Sequence, residues 1–88
     1  MDVTDKPIIL SSHAKEQCAY RGCTELEVKE TIRSVPWKPA ELNRRECRKE
    51  FPFNSEWNGK RFATKHVRPI FAEEPDRLVV VTVYVYYA

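Results

Sequence analysis

The spacing of apolar residues changes character along the chain. Between residues 13 and 35 apolar side chains recur at helical intervals, with Val28, Ile32 and Val35 at i, i+4 and i+7 on one face. From residue 60 onward β-branched and aromatic residues dominate, and the period becomes that of a strand. Polar signals mark the boundaries. Ser11 and Ser12 offer hydroxyls to the free amides of a helix start, which predicts a helix over 13–21 with Ala14 and Cys18 on its inner stripe. Gly22 ends it, because glycine accepts the left-handed backbone just past a helix. Thr24 and Glu27 have the T-x-x-E spacing of a capping box, which predicts a second helix that Pro36 stops.

The remainder reads as strands and turns. Residues 7–10 form a short strand. Residues 41–53, ELNRRECRKEFPF, are heavily charged and read as one ragged, exposed strand that Pro52 places at a sheet edge. A loop over 54–59 carries the hairpin signal Asn58-Gly59. Residues 60–73 form a strand bent at Pro69, and 74–77 form a turn. The last strand, 78–87, is LVVVTVYVYY, the most β-prone run in the chain, and is expected inside the sheet. Strict alternation places Val79, Val81, Val83 and Val85 on a core face and Thr82, Tyr84 and Tyr86 on the other. The expected fold is α+β: two N-terminal helices on an antiparallel three- to four-stranded meander, in the order β-α-α-β-β-β. The 88 residues make one domain, with 1–7 as a flexible tail.

Composition narrows the function classes. Apolar residues are 42% and charged residues 32%, ordinary for a globular domain, which argues against disorder. The net charge of +2 is too small to imply nucleic-acid binding by itself, so the placement of the cations decides. No apolar run reaches the roughly 18 residues of a membrane span, and the N-terminus has no basic start before an apolar stretch. A cytoplasmic protein with no membrane partner is expected. Three cysteines, an odd count, fit reduced thiols. No pair among His13, Cys18, Cys23, Cys47 and His66 has metal-ligand spacing, and the two glycines form no phosphate loop, so neither metal nor cofactor is expected. A cysteine nucleophile has one candidate in Cys23, where a helix dipole would lower the thiol pKa; small core fillers are the simpler account.

What remains is a set of cations, imidazoles and phenols. His13, Gln17 and Arg21 share a helical stripe at i, i+4 and i+8, and Lys65, His66 and Arg68 cluster on one strand. Cleavage of RNA without a metal needs a group to take the 2′-hydroxyl proton, one to protonate the leaving 5′-oxygen, and cations for the phosphorane. His13, His66 and Tyr84 are the catalytic candidates; Arg21, Lys65 and Arg68 are the RNA phosphate-binding candidates. Strand register decides the details: one register puts His66 and Arg68 on the Tyr84 face, and a one-residue slip puts Lys65 there. The competing account is packing, since a tyrosine-rich sheet face under a helix commonly serves only as core. A second function class is a non-catalytic binding module that docks a protein partner along the exposed 41–53 strand. A third is a small assembly protein whose tyrosine face contacts another copy.

The segment SSHAKEQCAYRGCTELEVKETIRSVP resembles the opening of a family of small bacterial domains of unknown function. The matching features are the helix start His13-Ala14, the break Arg21-Gly22, the cap Thr24 and the second-helix residue Ile32. The closing strand Val80-Val81-Thr82-Val83-Tyr84 matches as well, so the resemblance spans roughly residues 8–84. The chain departs from that pattern at Cys23, where an aliphatic residue is usual, and in the long charged segment 44–57. The family is similar to RelE-type toxin ribonucleases in its layout of helices and meander. That resemblance implies an RNA-directed, toxin-like role, with RNA and an antitoxin-like protein as the expected partners.

Overall fold

A computed structural model describes residues 6–88, in which eight elements follow in the order β1 (Ile8–Leu10), α1 (Ser12–Arg21), α2 (Glu25–Ser34), β2 (Lys38–Ala40), β3 (Arg44–Glu46), β4 (Lys49–Trp57), β5 (Lys60–Glu73) and β6 (Leu78–Tyr87). The fold is α+β. Both helices form at the expected places for local reasons. Ser11 Oγ accepts from the Ala14 amide at 3.1 Å, and the Thr24–Glu27 box closes with bonds of 3.1 and 3.0 Å. Gly22 ends α1 at φ 87°, its amide donating to Cys18 O at 2.9 Å. Space as well as φ requires glycine there: a Cβ would lie 2.6 Å from the Tyr87 hydroxyl and 2.7 Å from the Trp57 ring.

The six strands form one sheet in the order β1-β6-β5-β3-β2, with β4 pairing the other stretch of β5. All pairs are antiparallel except β1 with β6. The helices cover one face. There Ala14, Cys18, Val28 and Ile32 bury against Val67, Phe71, Leu78, Val80 and Val83. Trp37 closes one end of this core, its indole donating to Ile32 O at 2.8 Å and its ring edge meeting Phe71 at 4.9 Å. The opposite face of the sheet is open.

Several expectations need correction. Five strands follow the helices rather than three, because the charged segment is not one strand. It turns at Glu41–Asn43, where Leu42 and Asn43 both take φ near 59°, and breaks again between β3 and β4 at Cys47 and Arg48. That second break falls opposite Pro69, which offers no amide hydrogen to a ladder. The expected 54–59 loop is mostly strand, since β4 runs to Trp57 and only Asn58 and Gly59 turn.

β6 does not alternate strictly either. Ile70 pairs with Thr82 while Phe71 pairs with Val80, so Val81 is an extra residue and the side-chain phase flips there. The core face of β6 is therefore Leu78 and Val80, then Val83; Val79 and Val81 are not buried. β6 lies inside the sheet over its first three residues, beside β1, while residues 81–87 leave one edge unpaired by any strand. Of the residues expected in the tail, Lys6 Nζ donates to Glu74 O at 2.8 Å, and Pro7 O accepts from the Leu78 amide at 2.9 Å. Residues 1–5 lie outside the described residues.

Candidate functional site

The open face is built by register. Arg68 pairs with Tyr84, His66 with Tyr86 and Ile70 with Thr82, so these six side chains share one side of the β5–β6 ladder. Glu46 of β3 pairs with Ile70 and Glu50 of β4 with His66, which brings two carboxylates to the same side. α1 lies along the unpaired edge of β6, where Ser11 Oγ donates to Val81 O at 3.4 Å and the Tyr87 hydroxyl donates to Arg21 O at 2.6 Å. Its polar flank thereby reaches round the edge. His13 Nε2 stands 3.3 Å from Thr82 Oγ1, and the Arg21 guanidinium lies 5.1 Å from the centre of the Tyr84 ring.

An open cleft of about 710 Å³ crosses this face from the β2–β3 turn to β6, with Leu42, Glu46, Arg68, Thr82 and Tyr84 among its walls. Arg68 forms its floor and is fully engaged. It donates to both Glu46 oxygens at 3.1 and 3.0 Å and to the Tyr86 hydroxyl at 3.1 Å. The guanidinium holds the Glu46 carboxyl below the usual carboxylate range, and the carboxylate in turn raises Arg68. Arg68 thus braces the two tyrosines rather than offering a vacant fork to phosphate.

Three guanidinium groups on this face, those of Arg21, Arg44 and Arg48, have no carboxylate partner among the described residues; Arg44 lines the cleft itself. Arg21 rests against Tyr84. Arg48 rests 4.9 Å from the Tyr86 ring centre and donates to His66 Nδ1 at 3.4 Å. His66 Nε2 faces Glu50 at 3.5 Å, so the proton-bearing nitrogen assigned by this network is Nε2.

His13, Arg21, Arg68 and Tyr84 come together at one end of the strip, and His66 stands at the other. Thr82 and Tyr86, which mark the two imidazoles, are four strand positions apart, about 13 Å. That exceeds the reach of an acid and a base acting at one phosphorus. Tyr84 is only two positions from Thr82, about 7 Å, and is the nearer partner for His13.

Lys65 belongs elsewhere, and its assignment to phosphate is corrected. It points to the helix side, is 6% exposed, and its ammonium is held by Gly22 O at 3.1 Å and Glu27 Oε1 at 2.9 Å. Lys65 therefore pins the α1–α2 junction to β5. Cys23 is corrected too: a hydrogen bond with Cys18, and burial after it, push its thiol up, against the lowering expected from the dipole. Burial pushes Cys47 up to about 12.

Sequence reasoning missed Arg48, Glu46 and Glu50. Nothing in RRECRKE distinguishes the cation that meets a tyrosine from those that meet water; only the pairing of β3 and β4 with β5 does. Among the described residues no cluster of three His, Cys, Asp or Glu side chains is arranged to hold a metal ion, and no helix is long and apolar enough to cross a membrane. No family model, curated protein or solved structure matches the chain.

Proposed function

We propose that the protein acts on single-stranded RNA at this open face, as a metal-independent, toxin-like endoribonuclease. The observation that carries the reading is the meeting of an accessible imidazole, an unpaired guanidinium and an exposed phenol, His13, Arg21 and Tyr84, at one end of an open cleft. Unpaired bases stack on tyrosine and arginine planes, and guanidinium groups neutralise phosphate. In the reaction His13 accepts the 2′-hydroxyl proton, the 2′-oxygen bonds to phosphorus, and the bond to the 5′-oxygen breaks. Tyr84 donates to that leaving oxygen, and Arg21 offsets the charge of the phosphorane. The products are a 2′,3′-cyclic phosphate and a 5′-hydroxyl. Two helices on one face of a mostly antiparallel sheet also suit the RelE-type layout, and this reading places the protein in the cytoplasm with its substrate.

The test is cleavage of single-stranded RNA by purified protein in EDTA. His13→Ala should lower the rate by about 10²-fold or more, the scale of lost acid–base catalysis, with the melting temperature unchanged because His13 is exposed. Equal cleavage by both proteins removes His13 from the mechanism. Absence of cleavage by the wild type favours a second reading, docking of a protein strand. One observation supports that alternative: β4, nine residues long, pairs among the described residues with β5 alone, which leaves its other edge open there.

A further inference from the structure

A second concavity, of about 370 Å³, opens where α1 ends, between Tyr20, Arg21, Trp57, Asn58, Val85 and Tyr87. Two features of it are independent of the larger cleft. The Trp57 indole stacks on the Tyr87 ring at 5.0 Å and 17°, so packing sets its position before any ligand arrives. Tyr20 stands at the rim 81% exposed, a large ring on the last turn of α1 that the core does not use. Among the described residues the lining holds no carboxylate and one cation, Arg21, a lining suited to a phosphate.

Arg21 joins this concavity to the cleft. Arg21 lines the smaller space, and its guanidinium rests against Tyr84, a wall of the larger one. A free cation between two aromatic-walled hollows matches a phosphate between two bases.

We propose that this concavity is a nucleobase subsite, which stacks the base next to the one at Tyr84 on Tyr20 and Trp57 while Arg21 holds the intervening phosphate. The proposal rests on the RNA reading above and adds the size of the ligand: two consecutive nucleotides that round the free edge of β6. Stacking accepts any base, because every base has a π-face, so little sequence preference is expected at this position.

The experiment uses the intact chain in EDTA with a short single-stranded RNA carrying 2′-O-methyl groups, which binds without being cleaved. Trp37 is packed edge-on against Phe71, so quenching of tryptophan fluorescence on titration reports Trp57, and Trp57→Phe should abolish it. Tyr20→Ala should weaken binding by about 5- to 100-fold, the scale of one lost base stack, and Tyr20→Phe should restore it. A fully abasic oligonucleotide of the same length, which loses the stack at Tyr84 as well, should bind the wild type more weakly than the base-bearing one binds Tyr20→Ala. Wild-type binding without quenching, or with Tyr20→Ala binding equally well, overturns the subsite and leaves the larger cleft standing. No binding of either oligonucleotide to the wild type overturns the RNA reading itself and the subsite with it.

Discussion

Arg68 and Glu46 show how one ion pair can organise a surface. The guanidinium is shared between a carboxylate and a phenol, and its plane also lies 5.4 Å from the Tyr84 ring centre. Glu46→Gln removes the charge but keeps one acceptor. A hydrogen bond to a charged group contributes about 1.5–3 kcal/mol, and partial exposure of Arg68 reduces that, so a loss of about 1–2 kcal/mol is expected. The pH dependence follows from the direction of the shift. The folded carboxyl titrates below its unfolded value of about 4.3, so its contribution is present above that pH and is lost as pH falls through the folded pKa. Melting temperatures of wild type and Glu46→Gln should differ at pH 7 and converge as pH falls below the unfolded value and through the folded one; a constant gap would show that the pair is not its source. The shared flank of His13 and Arg21 was legible because a helix stripe is a local pattern. The engagement of Arg68 and the burial of Lys65 were not, since both depend on which face of β5 the sheet turns toward the helices.

The elements divide in the same way. α1 and α2 could be read to within a residue because Ser11, Gly22, Thr24, Glu27 and Pro36 act within a few positions of themselves. The bulge at Val81 could not, since it is a property of the β5–β6 register and leaves no mark in a run of valines. It has a measurable consequence. Val83→Asp places a charge at a fully buried position and should prevent folding, at a cost of several kcal/mol or more. Val81→Asp, on the half-exposed bulged residue, should fold with a lowered melting temperature. Circular dichroism of the two variants separates the bulged register from strict alternation, which would make them equally disruptive.

On the scale of the whole molecule, β5 is the spine. The thirteen steps between its fourteen residues span about 43 Å at strand rise, comparable with the longest dimension of 42 Å. Every other strand except β1 and β2 pairs with it. Protection from amide exchange should follow: slowest along β5 and its ladder with β6, fastest on the outer edge of β4, where Pro52 and a bulge leave amides to water. Uniform protection across β4 and β5 in a deuterium-exchange experiment would contradict this arrangement. β1 joins the sheet only by lying parallel to the start of β6, and the neighbouring contact from Ser11 to Val81 links positions 70 apart. At about 5–20 residues per second, a ribosome needs several seconds to supply that partner. During that interval residues 12–34 have no sheet to cover their apolar stripes, and two ten-residue helices are only marginally stable alone in water. The helices are therefore expected to settle only when β5 and β6 cover them, and the three-residue first strand to close the structure last.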